Sequence, residues 1–223
     1  MDQRSDPATN ATLSNDRAQA IALNHDSVSR ETWSRLDRLV ARLLEVQQHT
    51  NLVANSTLPY VWTRHVADSL QLLELEPGAA RWIDIGSGAG FPGLVIACAL
   101  AGTVGAEVHL VESIQKKANF LRDCANALGV PAIVHARRIE DFSKVNKRAF
   151  DVVTARAVAP LDKLLGYAIP LLKRGGVGLF PKGQDVEAEL TSASKSWTIE
   201  ADLIPSKTDP HGRIIRVHRA AKR

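Results

Sequence analysis

Five short apolar runs along the chain are each followed by residues whose types could bind or transform a ligand. The first run ends in the loop Asp84-Ile85-Gly86-Ser87-Gly88-Ala89-Gly90-Phe91-Pro92-Gly93. Its closely spaced glycines let the backbone turn sharply and approach a ligand with no Cβ in the way. The helix predicted after the loop presents free N–H groups and the positive end of its dipole. This loop is therefore the first candidate for a binding site.

Two registers of glycines within the loop favour different ligands. Gly88, Gly90 and Gly93 match the G-x-G-x-x-G fingerprint of dinucleotide-binding proteins as a bare string. That register starts well past the end of the strand, and Pro92 would occupy the tight approach to a pyrophosphate. The register that starts at the strand end has an acid at Asp84 and glycines at every second position from 86 to 90. It resembles the S-adenosylmethionine loop of class I methyltransferases.

Acidic residues follow the second and third runs. Glu112 ends the second run, 24 residues beyond Gly88, and an acid at this place can accept both ribose hydroxyls of an adenosine. The alternative is an acid that caps the helix starting near Ser113. After the third run, Ile139 and Glu140 offer backbone groups and a carboxylate that could meet an adenine edge. A surface turn fits that segment almost as well.

Basic residues follow the fourth and fifth runs. Arg156 stands between two alanines, and an arginine is rarely buried without a partner. Its guanidinium could hold a phosphate, a carboxylate or a guanine edge, and a structural ion pair to Asp84 or Glu112 is the competing interpretation. Lys182 brings a second cation to the same crevice, because the carboxyl ends of parallel strands meet at one edge of the sheet.

Other catalytic or metal-binding arrangements are weaker. His65 lies three residues before Asp68 on one face of a predicted helix, where the two could form a local structural pair or act as catalytic partners. No His-x-x-x-His pair or Cys/His cluster predicts a metal site. Cys98 and Cys124 stand alone, which argues against a disulfide scaffold and makes a reducing cytoplasm the default.

The elements that must position these residues alternate between strands and helices. Such alternation predicts a parallel sheet with helices on both of its faces. The last two apolar runs have only a turn between them, so we expect an antiparallel pair at one edge of the sheet. The predicted strands cover Trp82–Ile85, Val108–Val111, Ala132–Val134, Phe150–Thr154, Val177–Phe180, Trp197–Leu203 and Arg213–His218.

The segment before the first strand divides into a tail and a helical region. The first 25 residues are polar and lack a clear period, which predicts disorder. From Ser29 onward apolar residues recur at helical spacing, and a second helix is predicted from Thr57 to a point before Pro77. The predicted organisation is a disordered tail over 1–25, a helical cap over 26–76 and a core over 77–223.

Length, composition and charge fit a single soluble domain with a basic end. The chain has 223 residues, of which 45% are hydrophobic and 23% are charged, enough to bury a sizeable core. No apolar segment is typical of a signal peptide or a membrane span. The net charge is +4, and the basic C-terminal segment could meet a phosphate backbone or be a solvated tail. Its basic residues are Lys207, Arg213, Arg216, Arg219, Lys222 and Arg223.

Six motifs occur in the order and at the spacing of one known family. From about Leu36 to Gly183 the chain resembles the RsmG family, also called GidB, of small-subunit rRNA guanine-N7 methyltransferases. A glycine loop alone would be weak support, whereas six motifs in order are specific. They are Arg64-His65-Val66-Ala67-Asp68-Ser69-Leu70, Asp84 to Gly93, Val111-Glu112-Ser113, Arg138-Ile139-Glu140-Asp141-Phe142, Ala155-Arg156-Ala157 and Lys182-Gly183.

The resemblance implies a fold, a reaction and partners. The implied fold is α/β: a Rossmann-like class I S-adenosylmethionine-dependent methyltransferase with a seven-stranded, mostly parallel sheet, an antiparallel last strand and an N-terminal helical cap. The implied reaction transfers the methyl group of S-adenosyl-L-methionine to N7 of guanosine 527 in 16S rRNA and leaves S-adenosyl-L-homocysteine. The expected partner is 16S rRNA or the small ribosomal subunit in the cytoplasm, with no membrane and no metal, and a monomer suffices.

Residue roles follow from the resemblance position by position. It places cofactor contacts on Gly86, Phe91, Ile139, Glu140 and Arg156, to which the strand-end argument adds Asp84, Gly88, Gly90 and Glu112. The predicted catalytic group consists of Arg156, Lys182, His65 and Asp68. The predicted RNA contacts are Arg138, Lys182, Arg213 and Arg216. A nicotinamide-dependent oxidoreductase and a non-catalytic RNA-binding module are the competing functions.

Overall fold

Seven β-strands form one sheet in the computed structural model, which describes residues 7–24, 28–146 and 149–223. The strands are β1 (Arg81–Ile85), β2 (Glu107–Val111), β3 (Ala132–His135), β4 (Phe150–Thr154), β5 (Leu172–Lys182), β6 (Trp197–Pro205) and β7 (Arg213–Lys222). Their order in space is β3-β2-β1-β4-β5-β7-β6. Strands β1 to β5 pair in parallel, whereas β7 runs antiparallel to both of its neighbours. Six strands therefore share one direction, as predicted.

Helices cover both faces of the sheet and precede its first strand. They are α1 (Pro7–Leu23), α2 (Arg30–Gln47), α3 (Asp68–Leu75), α4 (Gly93–Leu100), α5 (Gln115–Leu128), α6 (Ile139–Val145), α7 (Leu161–Ala168) and α8 (Val186–Ala193). Short 3₁₀ helices lie at Asn55–Tyr60 and Ile169–Leu171, and a π-helical turn lies at Trp62–Ala67. Helices α1 to α5 share one buried cluster with the sheet, and α6 to α8 share the other.

Successive residues of a strand face opposite helical layers. In β1, Trp82 packs in the cluster of α1 to α5, whereas Ile83 and Ile85 pack in the cluster of α6 to α8. All three are fully buried. A strand buried on both faces appears in a sequence as a continuous apolar run, which is why the short runs predicted the strands. The α/β fold with a mostly parallel, doubly covered sheet is confirmed.

The predicted strands are confirmed, although the later ones are longer than predicted. Strand β5 begins at Leu172. The prediction places its start at Val177, because residues 173–175 are exposed and interrupt the apolar run. The last two strands extend to Pro205 and Lys222. They form the expected antiparallel pair, in which β6 is the edge strand and β7 lies between β6 and β5.

The prediction of a disordered tail over 1–25 is wrong over residues 7–24, where the structure has helix α1 and its end. Asp16, Ala20 and Asn24 are buried, and their spacing of four residues places them on one helix face. The fully buried side chains of α1 are thus small or polar, and its large apolar ones, Leu13, Ile21 and Leu23, pack against the core only partly buried, so the sequence shows no clear apolar period. Residues 1–6 and 25–27 lie outside the described residues, and the division into cap and core stays a prediction.

Two further segments differ from their predicted form. The second helix of the cap, predicted from Thr57, consists of the 3₁₀ helix, the π-helical turn and α3 in succession. Pro59 lies inside the 3₁₀ helix, whose tighter winding ends before the α-helical part begins. The segment after β3, for which a turn was an open alternative, is the short helix α6, preceded by Arg138 as its N-cap residue.

Gly93 sets how closely α4 approaches the sheet. Its N–H donates to Asp84 Oδ2 at 3.1 Å. A Cβ added to Gly93 would lie 2.2 Å from Leu110 Cδ2 and 2.8 Å from Asp84 Oδ2. Both neighbours are fully buried or nearly so, and close-packed interiors have little room to shift. The first turn of α4 therefore requires glycine at this position.

We expect Gly93→Ala to lower the free energy of unfolding by about 2 kcal/mol, because overpacking forces the helix away from the sheet. Urea unfolding followed by circular dichroism measures the change. The matched control is Gly78→Ala, since a Cβ at Gly78 meets nothing within 4 Å and its cost is expected to be below about 0.5 kcal/mol. Equal stabilities for the two variants would contradict the close approach of α4.

Candidate active site at the carboxyl ends of the strands

The three alternating glycines of the first loop have different tasks. Gly86, Gly88 and Gly90 all have positive φ, at +73°, +56° and +93°. A Cβ at Gly86 would lie 2.5 Å from Val158 Cγ2, and one at Gly90 would lie 2.6 Å from Leu94 Cδ1. A Cβ at Gly88 would meet only a backbone oxygen, at 3.9 Å. Gly86 and Gly90 thus serve the packing of the protein, and the space beside Gly88 is open to a ligand.

Asp84 lies beneath the loop rather than in the cleft. Its Oδ1 accepts a hydrogen bond from Thr154 Oγ1 at 2.9 Å and its Oδ2 accepts one from the N–H of Gly93. Burial raises the pKa of Asp84 to about 6, although these hydrogen bonds oppose the shift. With 1% of its surface exposed, this residue joins β1, β4 and α4. It shapes the predicted cofactor loop without being accessible to a ligand.

Both carboxylate oxygens of Glu112 accept backbone hydrogen bonds. Oε2 accepts from the N–H of Gly88 at 2.9 Å, and Oε1 accepts from the N–H of Ile114 at 2.7 Å. The second bond fixes the backbone at Ile114, the N-cap residue of α5, although no side chain caps the first-turn N–H groups of that helix. The bond from Gly88 fixes the middle of the glycine loop. Each oxygen keeps a further lone-pair direction, so these two backbone bonds are compatible with ligand binding.

Arg156 is held by three groups of the cap. Its Nη1 donates to the carbonyl oxygen of Arg64 at 2.9 Å and lies 3.4 Å from Asp68 Oδ2. Its Nη2 donates to His65 Nδ1 at 2.8 Å. The next residue, Ala157, has a positive φ of 55°, so the backbone turns sharply after Arg156. The structure places the ion-pair partner in the cap, and not at Asp84 or Glu112 as the competing interpretation had it.

His65 is a neutral acceptor in this arrangement. Burial, and then the positive charges of Arg156 and Arg64, lower the pKa of His65 to about 3. A guanidinium can only donate hydrogen bonds, so Nδ1 is the acceptor and Nε2 carries the proton toward Thr57 Oγ1, 3.0 Å away. The ring also stacks on Phe91, with centroids 4.9 Å apart. Neither ring nitrogen is left with a free lone pair.

Asp68 connects the cap to the loop between β6 and β7. While Oδ2 faces Arg156, Oδ1 accepts hydrogen bonds from Thr208 Oγ1 and Gln71 Nε2, each at 2.8 Å. Gln71 in turn accepts from the N–H of Lys207 at 2.9 Å. His65 and Asp68 therefore meet at Arg156 rather than forming a pair with each other. No local sequence signal identifies Thr208, because its partner Asp68 lies 140 residues earlier. Gln71 lies three residues from Asp68, but its bond to Lys207 spans 136 residues.

A cleft of about 740 Å³ opens beside Arg156, between the cap and the ends of β5 and β7. Lys182 lies in its wall, where Nζ donates to Glu189 Oε2 at 2.7 Å. On the opposite side, Arg64 Nη1 lies 3.4 Å from Asp209 Oδ2. Neither acidic partner was among the predicted site residues, and the folded structure places both in the lining of the cleft. The charged residues in the lining are Arg64, Arg156, Lys182, Arg213, Asp68, Asp185, Glu189 and Asp209.

Several predicted site residues lie away from this cleft. Glu140 is exposed and accepts a hydrogen bond from the Tyr167 hydroxyl at 3.1 Å, in a groove between α6 and α7. Ile139, at the start of α6, is partly buried. Of the predicted RNA contacts, Arg213 lines the cleft, whereas Arg138 is exposed on another loop. The fourth, Arg216, pairs with Glu76 at 2.5 Å. The structure thus brings Arg213 and Lys182 together and leaves the other two apart.

Two classes of feature do not occur in the part of the chain that the structure describes. No group of three or more His, Cys, Asp or Glu side chains is arranged to hold a metal ion among residues 7–24, 28–146 and 149–223. Over the same ranges, none of the helices has the length and apolar character needed to cross a bilayer.

Solved structures with this fold include methyltransferases. The O-methyltransferase from Bacillus cereus, in complex with SAH, superposes with a TM-score of 0.59 at 15% identity, over 93% of this chain and 100% of that one. A SAM-dependent methyltransferase from Aquifex aeolicus gives a TM-score of 0.56 at 13% identity, over 75% of this chain and 94% of that one. The likeness shows a shared fold, and the predicted Rossmann-like methyltransferase fold is confirmed.

Relatives by sequence match nearly the whole chain. Ribosomal RNA small subunit methyltransferase G of Bradyrhizobium sp. (strain BTAi1) is 55% identical over 217 residues, 97% of each chain. The protein of that name from Rhodopseudomonas palustris (strain HaA2) is 53% identical over 207 residues, 93% of this chain and 86% of the relative. The family model of GidB, rRNA small subunit methyltransferase G, matches residues 32–211. The chain therefore belongs to the GidB family of small-subunit rRNA methyltransferases.

Proposed function

We propose that this protein transfers the methyl group of S-adenosylmethionine to N7 of a guanine in small-subunit rRNA, at guanosine 527 of 16S rRNA. The observation that carries the proposal is the arrangement at Arg156, whose guanidinium is fixed by three cap groups at the mouth of the cleft. Membership of the family and the motifs of the sequence supply the class of substrate. A structural neighbour that holds SAH supports the cofactor.

The cofactor fits the residues at the ends of β1 to β3. The open space beside Gly88 lets a ligand approach the backbone closely, and Glu112 has acceptor capacity left for ribose hydroxyls. The backbone of Ile139 and Glu140, at the start of α6, would meet the adenine. Phe91, which stacks on His65, would border the site from the cap side. When bound, S-adenosylmethionine supplies an electrophilic methyl group.

The chemistry proposed for the cleft needs alignment more than proton removal. Guanine N7 carries a lone pair and no proton, so an in-line attack requires no general base. The side chains around Arg156 fit this requirement, because His65 already accepts a hydrogen bond from Arg156 and Asp68 faces the same guanidinium. The lone pair of His65 Nδ1 is thus already engaged. We assign His65 and Asp68 to positioning Arg156.

Arg156 and Lys182 are the proposed ligand-facing cations. A guanidinium has five N–H donors, of which the cap engages three, and two remain for the cofactor or for the guanine. Lys182 is oriented by Glu189 at 2.7 Å and by the carbonyl oxygen of Ala159 at 3.3 Å. Its third donor is available to a base or a phosphate. The two cations would orient the guanine through hydrogen bonds and would form no covalent bond with it.

Gly88→Asp is expected to weaken cofactor binding while the fold persists. The new carboxylate would project into the open space beside the loop, and leaving a charged group unpaired there costs roughly 3 kcal/mol, or about a hundredfold in the Kd for S-adenosylhomocysteine. Calorimetry measures the Kd, and thermal shift with S-adenosylhomocysteine and NAD tests the ligand class. The control is Gly105→Asp, which also has positive φ (75°) and open space. Unaltered binding by Gly88→Asp would remove this loop from the site.

Arg156→Ala is expected to slow methyl transfer by about a hundredfold, because the variant lacks the guanidinium that is held in place to orient the reactants by hydrogen bonds. Arg156→Lys should restore little, since an ammonium cannot match the fork geometry of a guanidinium. Arg174→Ala, an exposed arginine at the beginning of β5, is the control. Weaker binding of S-adenosylhomocysteine by Arg156→Ala would assign the arginine to the cofactor, and unchanged binding would assign it to the guanine. Full activity in Arg156→Ala would refute its role.

The site of methylation can be read directly from the RNA. Small subunits from cells lacking this protein are incubated with labelled S-adenosylmethionine, and the rRNA is treated with borohydride and aniline, which cut at 7-methylguanosine. We expect a single cut at guanosine 527 that requires the active protein. Label without a cut would move the methyl group to another atom, and a cut elsewhere would change the target. No label on particles or on free rRNA would overturn the proposed substrate.

A further inference from the structure

Helix α1 contributes one buried carboxylate to the cap. Asp16 is 5% exposed and reaches across to the π-helical turn at Trp62–Ala67. Its Oδ2 accepts a hydrogen bond from the N–H of Trp62 at 2.7 Å, and its Oδ1 accepts one from Thr63 Oγ1 at 2.5 Å. The N–H of Thr63 lies 3.3 Å from both oxygens. A buried carboxylate with this many donors is fully committed to one segment of backbone.

The π-helical turn has no cap of its own. Val61 occupies its N-cap position and offers no side-chain hydrogen bond. The first N–H groups of a helix have no intrahelical acceptor, and a carboxylate at this end satisfies them and opposes the positive end of the dipole. Asp16, 46 residues before Trp62, therefore acts as the N-cap of a helical turn that belongs to a different part of the chain.

The residues that hold Arg156 come directly after the capped N–H groups. The carbonyl oxygen of Arg64 and the ring of His65 belong to the same turn and provide two of the three contacts to the guanidinium. A π-helical turn is rare and is poorly determined by local propensity. Its position and rotation consequently depend on what fixes its ends, and the cap at its first end is Asp16.

We propose that Asp16 is a positioning residue for methyl transfer: by capping this turn it sets the carbonyl of Arg64 and the ring of His65, and through them the direction of Arg156. The inference rests on the proposed function only for the measurement of kcat, since the NMR signal of His65 does not depend on it. The family model begins at residue 32, so helix α1 and Asp16 precede the segment that the model describes. A helix that the sequence pattern assigned to disorder thus takes part in building the site.

The test compares full-length Asp16→Ala with the unsubstituted protein. We expect kcat to fall by about ten- to a hundredfold, as for other small misplacements of a catalytic group, while KM for S-adenosylmethionine changes by less than about twofold. An independent readout is the ¹⁵N NMR spectrum of the histidine rings. His65 should give the signature of a single neutral Nε2–H tautomer in the unsubstituted protein, and Asp16→Ala should broaden or shift it. His65→Asn identifies the signal.

Two further variants separate positioning from stability. Asp16→Asn keeps a carbonyl acceptor at the cap and is expected to recover most of the lost kcat and the His65 signal. Ala20→Gly weakens α1 through its helix propensity and leaves the carboxylate of Asp16 in place, so kcat should be unchanged at temperatures where the protein is folded. Should Asp16→Ala fail to fold, Asp16→Ser replaces it, because serine caps helices with a shorter reach.

The outcomes are distinct for the two proposals. Loss of kcat together with the altered His65 signal, with recovery in Asp16→Asn, supports the positioning role. An unchanged His65 spectrum and unchanged kcat in a less stable Asp16→Ala would overturn it, as would an equal loss of kcat in Ala20→Gly. If the unsubstituted protein transfers no methyl group but Asp16→Ala still alters the His65 spectrum, the proposed function fails and the structural link between Asp16 and His65 stands.

Discussion

The need to satisfy a largely buried guanidinium organises the site. Removing a cation from water is costly unless hydrogen-bond acceptors and an opposite charge replace the water. Arg156 follows strand β4, yet its acceptors are a carbonyl, an imidazole and a carboxylate from the segment before the first strand. The sheet and the cap therefore depend on each other at this point, and the cleft exists only where the two halves meet.

The same arrangement extends to the end of the chain. Asp68 faces Arg156 with one oxygen and Thr208 with the other, so the loop between β6 and β7 is fixed by the same carboxylate. If any one partner shifts, the others keep buried donors or acceptors without a hydrogen bond. The free-energy cost of such an unpaired group exceeds the net stability that one hydrogen bond contributes. The cap, the fourth strand and the last hairpin thus behave as one unit around the cleft.

The parts of the fold that have a local signal in the sequence are the parts that could be predicted from it. Apolar runs predicted the strands, and the residues after the fourth and fifth strands, Arg156 and Lys182, line the cleft, because the carboxyl ends of parallel strands meet at one edge of the sheet. Partners separated by long stretches of chain were not predictable: Asp68 for Arg156 and Asp16 for the π-helical turn. The distinct tasks of the alternating glycines also required the packed structure, since the sequence shows only their spacing. Helix α1 was missed because its fully buried residues, Asp16, Ala20 and Asn24, are small or polar.

The pairing of charges within the cleft has a consequence for how RNA would reach it. Its lining holds four cations and four carboxylates, and His65 is neutral. A cleft with balanced charge attracts a neutral base and offers little to a phosphate backbone. Affinity for RNA depends on ionic strength in proportion to the phosphates neutralised, so that dependence must originate on surfaces outside the cleft. Docking of the RNA should then weaken steeply with added salt, whereas entry of the base into the cleft should not.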